Sequence, residues 1–305
     1  MDMNNLEYAK IFQQALDEQV AATATTGWME ANAGQVIYNG GKEIKIPKMS
    51  LSGLSDYSRE EGHVKGSITL TYQTKEMRMD RGVKFQLDAM DVDESNFVVS
   101  ATNVLSQFQK TKVIPEVDAY RYSTIIQGAI DHGRVESGYT PDPDTIMQKL
   151  LGDIAKIEDV CGEGVQLVIT MTALCANILS QSPLYAKNVD VTEFKAGSFY
   201  QKLRSIDDNP IIRVPSALMK SKYIFYDGVS EGQTDGGFEA HPDAVQANWI
   251  ICARRVPIAV SKTDNIRIFD PSTNQKANAW QIDYRKYHDL FIMDNAYDLI
   301  FVNTQ

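Results

Sequence analysis

The chain has 305 residues, 43% of them hydrophobic and 23% charged, with a formal net charge of −10. That length is at the upper limit of one core and points to two subdomains sharing a boundary, while the acidic balance argues against a protein whose main work is wrapping nucleic acid, since phosphate binding needs a basic surface. No apolar run approaches the ~20 residues that span a bilayer, and the opening MDMNNLEYAKIFQQALDEQ lacks the basic start and apolar centre of a signal peptide, so a cytoplasmic product with no membrane partner is expected.

In chain order, residues 6–20 read as a helix of mixed apolar pattern. Residues 21–33 are small and polar around Trp28 and Met29, without a period, and predict an extended arm. A lone Trp in such an arm docks either on its own core or on a neighbour. Gly40-Gly41 is a hairpin turn signal between strands over 36–39 and 42–46, with Pro47 ending the second. Residues 48–67 hold three glycines, five serines and charges of both signs, and little that could build a core. A loop of about 20 residues without structure of its own is uncommon in a compact domain. Two readings stay open for it: a surface loop touching only its own subunit, or an extended two-stranded loop reaching a neighbouring subunit. Ile68, Leu70 and Tyr72 then alternate with Ser67, Thr69 and Thr71 as a strand.

The most informative stretch follows. Met77, Met79, Val83, Phe85 and Leu87 alternate with Arg78, Asp80, Lys84, Gln86 and Asp88, the two-residue period of a strand with one buried face, and Gly82 marks a bulge or bend. From Asp93 the period becomes helical. Phe97, Ala101, Val104, Leu105 and Phe108 share a face, and Asp91, Asp93 and Glu94 sit where carboxylates cap a helix N-terminus. Pro115 must kink this helix or restart it, and Val117, Tyr120 and Ile125 carry the apolar stripe onward. The sum is a helix of about seven to ten turns, on the order of 40–50 Å.

Beyond it, Asp142 caps a helix beginning at Pro143 with Ile146, Leu150, Ile154 and Ile157 on its apolar face, and Gly162 and Gly164 end it. Residues 165–171 form a buried strand and 172–180 a further helix. Short strands are expected at 211–214 and 223–226, a long polar loop at 227–244, and a central strand over 248–261 interrupted at Pro257. Three β segments, 265–269, 279–292 and 297–302, close the chain and are expected to share a sheet with the strands before the long helix.

No constellation carries chemistry. His63, His132, His241 and His288 stand in separate elements and read as structural histidines. Asp91, Asp93 and Ser95 start like a calcium loop, but Asn96 and Thr102 stand where Gly and a bidentate Glu are needed. Gly40-Gly41-Lys42 lacks the upstream glycine and the following Ser or Thr of a phosphate loop, and neither GxSxG nor GxGxxG occurs. Cys161, Cys175 and Cys252 are odd in number, widely spaced and in apolar contexts, so buried free thiols are expected. Catalytic, cofactor-binding and metal residues are each assigned as none.

MDRGVKFQLDAMDVDESNF, followed by QFQKTKVIPEVDAYRYS, resembles the strand and spine-helix region of major capsid proteins from tailed double-stranded DNA phages and related prophages. The resemblance implies an α+β fold with an N-terminal arm (1–35), an E-loop hairpin (36–76), peripheral strands and the spine helix (77–140), an axial domain (141–262) and a return to the peripheral domain (263–305). It implies a structural virion protein, not an enzyme, with no cofactor. Its partners would be its own copies in pentamers and hexamers, a separate scaffolding protein, a portal, and packaged DNA held without sequence-specific binding. The arm and E-loop would reach adjacent subunits, which makes Trp28, Lys48, Asp56, Tyr57, Arg59, Glu60 and Lys65 the candidate intersubunit contacts. The nearest rival is an encapsulin-type nanocompartment shell of the same fold, distinguished by an enzymatic cargo. A hydrolase acting through scattered Asp and His is a distant third.

Overall fold

The computed structural model describes residues 24–38, 42–55, 57, 59, 63, 65–88, 105–162, 164–197, 199–263, 266–269 and 279–305. The expected helix over 6–20, the Gly40-Gly41 turn and the capped start of the long helix at Asp91, Asp93 and Glu94 lie outside the described residues. A 3-10 helix over Gly27–Gln35 leads into strands β1 (Ile37–Tyr38), β2 (Glu43–Leu51), β3 (Ile68–Glu76) and β4 (Met79–Asp88). The segment expected to be an extended arm is thus partly a compact turn of helix.

A continuous helix runs from Leu105 to Asp131, roughly 40 Å at 1.5 Å per residue. Its last part is α1 (Ile114–Asp131). Pro115 neither stops nor restarts it: residues Gln109–Val113 take a π-helical turn just before the proline. The ring of Pro115 would collide with the Thr111 carbonyl in a regular α turn, and a wider turn moves that carbonyl away.

The chain continues through β5 (Val135–Glu136), α2 (Ile146–Cys161), β6 (Leu167–Thr172), α3 (Ala173–Ser180), α4 (Tyr185–Asn188), β7 (Asp190–Ala196), β8 (Phe199–Ile206), β9 (Asn209–Val214), β10 (Tyr223–Phe225), β11 (Phe238–Ala240), β12 (Ala247–Ala253), β13 (Ile258–Thr263), β14 (Arg267–Phe269), β15 (Ala279–Phe291) and β16 (Ile300–Thr304). Seven strands form one sheet in the order β5-β16-β12-β6-β9-β8-β7. Its core takes Ile146, Leu150, Ile154 and Ile157 from α2, Cys175 and Leu179 from α3, and Tyr122, Ile125, Ile126 and Ala129 from α1. The helix-period apolar positions read from the sequence are the ones buried. The start of α2 differs: Asp142 and Pro143 make a preceding turn, in which Asp142 Oδ1 accepts from the Asp144 N–H at 2.9 Å, and the helix begins at Ile146. Gly162, with φ +75°, ends it as expected.

A second sheet centres on β15, which pairs with β4 along one edge and with β13 and then β14 along the other. Gly82 makes no bulge here. Its register with Arg285 is unbroken, and a Cβ at that position would sit 3.0 Å from the Tyr284 carbonyl, so close strand approach accounts for the glycine. Leu105, Val113 and Val117 of the long helix pack on Ile282 and Tyr284 of this sheet, with Phe108 edge-on to Phe85 and Tyr284 at 5.1 and 5.8 Å.

Two expectations are corrected by this topology. The strand over 248–261 is two strands in different sheets: β12 lies in the seven-stranded sheet and β13 pairs with β15, the chain crossing between them just before Pro257. The segment 297–302 does not join the sheet of β4 and β15; residues Asp294–Leu299 form a 3-10 helix and β16 lies between β5 and β12, all five of its residues buried. Strand propensity fixed that these segments are extended, but a continuously apolar strand fits whichever sheet offers two covered faces.

Candidate subunit interface

Among the described residues, the β2–β3 hairpin carries a run of exposed apolar side chains, Leu51, Leu54, Ile68, Leu70 and Tyr72. Pro47 does not end β2, which runs on to Leu51 opposite Ile68. The reason lies in the register. The Ser52 N–H donates to the Ser67 carbonyl and the Met77 N–H to the Lys42 carbonyl, so even-numbered residues of β2 bond to β3 and odd-numbered ones point to the other edge. Pro47, which has no N–H, falls on that other edge, where β1 has already stopped pairing at Lys45.

The hairpin changes its apolar face along its length. Near the base, Ile44 and Ile46 are 0% and 1% exposed, packed on Ile258, Val260 and Phe291, while Glu43, Lys45, Thr74 and Glu76 occupy the opposite face and are exposed. Beyond Pro47 the apolar residues move to that opposite face. Ile68, Leu70 and Tyr72 there are 76%, 55% and 52% exposed, and Leu51, paired with Ile68, is exposed beside them. Lys48 and Thr71 now occupy the face that Ile44 and Ile46 began. One two-stranded ribbon thus presents apolar side chains on opposite faces in its two halves, because side chains of one parity cannot turn to the other side without a register shift.

The base is fixed polarly as well. Gln73 Nε2 donates to Asp294 Oδ2 at 2.5 Å, and Lys75 Nζ lies 3.4 Å from Asp294 Oδ1. The Gln73 hydrogen bond, with the charge of Lys75, holds the Asp294 carboxyl below the usual carboxylate value.

The sequence-derived contact residues are not placed alike. Lys48, Tyr57, Arg59 and Lys65 are exposed on the hairpin or its end loop, and the Tyr57 ring lies 4.9 Å from that of His63. Asp56 and Glu60 lie outside the described residues. Trp28 is corrected: it is 1% exposed and edge-on to Phe194 at 6.3 Å, so it docks on its own core and is not available to a neighbour. The turn holding it is clamped to the long helix. Asp118, buried on α1, accepts hydrogen bonds from the backbone N–H and hydroxyl of both Thr25 and Thr26 at 2.5–3.1 Å, and Arg121 pairs with Glu30 at 2.6 Å. Burial raises the Asp118 pKa despite these donors. Leu51, Leu54, Ile68, Leu70 and Tyr72 are exposed apolar residues that the sequence reading does not single out as candidate contacts, because the alternation at 68–72 is ordinarily that of a strand half-buried in its own subunit.

Elsewhere, no cluster of three His, Cys, Asp or Glu residues placed to hold a metal occurs among the described residues. His132 stacks on Tyr297 at 3.7 Å, and His288 is buried, its pKa pushed well below the usual value by burial and by Arg121, Lys286 and Arg81 nearby. Cys175 and Cys252 are buried free thiols, and Cys161 is half-buried.

No protein-family profile matches the sequence, and a search of curated proteins returns no relative. Solved structures do match. The chain is similar to a chain in the asymmetric unit of the bacteriophage PhiM1 mature capsid, with TM-score 0.55 and 11% identity over 88% of this chain and 83% of that one. The capsid of the cyanophage P-SCSP1u gives TM-score 0.54 and 12% identity over 88% and 84%. A virus-like particle from Pyrococcus furiosus gives TM-score 0.50 and 9% identity over 97% and 99%. At these identities the likeness is one of fold: the chain has the fold of tailed-phage major capsid chains, with the helix from Leu105 to Asp131 as its long helix.

Proposed function

We propose that this chain is a major capsid protein whose copies assemble through pentamers and hexamers into the icosahedral head of a tailed phage, enclosing double-stranded DNA. The observation that carries the reading is the hairpin whose outer half turns Leu51, Ile68, Leu70 and Tyr72 away from its own subunit, on a fold that phage capsid chains share. In this reading the hairpin is the E-loop and lies on an adjacent copy, the seven-stranded sheet is the axial domain, and the sheet of β4 and β15 is the peripheral domain. A scaffolding protein and a portal are its partners during assembly in the host cytoplasm, and the finished product resides in the virion. DNA is contained without being read, consistent with the net charge of −10. A buried interface repeated at every copy lets weak contacts sum to a stable shell.

Electron microscopy and sedimentation of the purified chain across a concentration series, with and without co-expressed neighbouring head genes, test the reading. Capsomers or shells are the expected result; monomer alone under every condition would remove the capsid assignment. Shells that co-purify an enzyme as cargo and no portal would move the chain to the nanocompartment class.

A further inference from the structure

The hairpin joins the body of the subunit at Met77-Arg78, the two residues between β3 and β4, and one carboxylate lies under that joint. Asp289, 4% exposed on β15, accepts the Arg78 N–H through Oδ2 at 2.8 Å. Its Oδ1 accepts the Tyr120 hydroxyl and the Leu290 N–H, each at 2.7 Å. All three partners are donors, so the site suits a carboxylate; an amide would turn its NH2 group towards at least one of them. Tyr120 stands in the middle of α1, its ring edge-on to Phe225 and His288 at 5.7 and 5.5 Å. A single side chain therefore links the amide at the joint to the long helix.

We propose that Asp289 is a positioning residue that couples the angle of the β2–β3 hairpin to the long helix. A shift of Tyr120 along or around the helix axis draws on Oδ1, and the rigid carboxylate passes that displacement to the Arg78 amide. Attachments that bypass the helix also hold the hairpin: Gln73 and Lys75 with Asp294, the Tyr287 hydroxyl donating to the Met77 carbonyl at 2.9 Å, and the packing of Ile44 and Ile46 on Ile258, Val260 and Phe291. The inference concerns the free subunit, and its test is made on monomer separated by size exclusion and kept dilute, so that its outcome does not depend on whether the chain forms shells.

The test uses the full chain carrying Cys161→Ser, with spin labels at Ser55→Cys in the hairpin's end loop and Asn177→Cys on α3, both exposed positions. The distribution of label separations reports the hairpin angle. Tyr120→Phe, which removes one hydroxyl, is expected to broaden that distribution. Asp289→Asn should broaden it further, and the double variant no further than Asp289→Asn alone, because both act on one link. Asp294→Ala should add its effect to that of Tyr120→Phe. A Tyr120→Phe distribution equal to the wild type, with or without a lower Tm, overturns the coupling, as does simple additivity of Tyr120→Phe and Asp289→Asn. If Asp289→Asn does not fold, Tyr120→Phe decides alone, since it keeps the carboxylate and two of its three donors.

Discussion

β12 and β3 make an instructive pair. Every residue of β12 is buried, Trp249 and Ile251 completely, between β6 and β16 with helices covering the sheet. β3 is longer and no less suited to a strand, yet Ile68, Leu70 and Tyr72 stand open to solvent. Within the hairpin the same contrast recurs between Ile44 and Ile46 on one face and the Leu51 end on the other. The difference lies in the cover: the chain itself closes over β12 and leaves this face of β3 open. Apolar area removed from water is worth about 25 cal/mol per Å² whichever molecule supplies the cover, so a sequence can place part of its hydrophobic pattern on a surface that only another chain completes.

Breaking the covered side of the comparison should give the largest effect. Trp249→Ala removes the largest side chain of β12 and leaves buried Asp153 without the indole N–H that reaches it at 3.1 Å; a loss of about 3–5 kcal/mol is expected, read by chemical denaturation. Ile46→Ala, at the base of the hairpin, should cost about 2–4 kcal/mol by the same measurement. A gain is available at the turn between β8 and β9, where Asp207 and Asp208 hold φ of +49° and +62°. Asn-Gly fits such a turn better, and Asp207→Asn with Asp208→Gly should stabilise by about 0.5–1 kcal/mol.

Leu70→Ser sharpens the contrast: the free subunit should unfold within about 0.5 kcal/mol of the wild type, while the concentration needed for assembly rises or assembly is lost in sedimentation. Unchanged assembly by Leu70→Ser and Ile68→Ser together would return this face to an ordinary solvated surface. The smallest effect is on pH dependence, and it has opposite signs in the two regions. Asp294 at the hairpin base has a depressed pKa, so its stabilisation is present above the ordinary value of 3.8 and is lost as pH falls through the depressed value. Asp118 under Thr25 and Thr26 has a raised pKa, so it carries a penalty above that raised value which is relieved as pH falls towards 3.8. As pH falls below 3.8, amide-exchange protection should therefore be lost first around residues 73–75 while the turn at 25–30 stays protected.

Much of the fold was legible because it rests on local periodicity. The helical spacing of Ile146, Leu150, Ile154 and Ile157, the apolar run of β6, and the alternation from Met79 to Phe85 each name an element and a face. The strands β7 and β8 were not legible: Glu193, Lys195, Lys202 and Arg204 line their outer face, and a hairpin this charged lacks the apolar alternation that marks a strand. Nor was the fate of Trp28, because the sequence shows a large ring in a small-residue segment without showing Phe194, which lies far along the chain, waiting edge-on.

The sequence by itself determined the long helix, the strand feeding it, the helix and strand order of the seven-stranded core and the unusual polarity of residues 48–67, since each follows from a repeat of two or of 3.6 residues. Only the tertiary structure decided that Asn248 to Ser261 serves two sheets, that β16 enters the larger one, that a π turn absorbs Pro115, and that the hairpin changes face at Pro47. Those outcomes depend on which distant surface covers a given face, and a period in the sequence records that a face is apolar without recording what will lie against it.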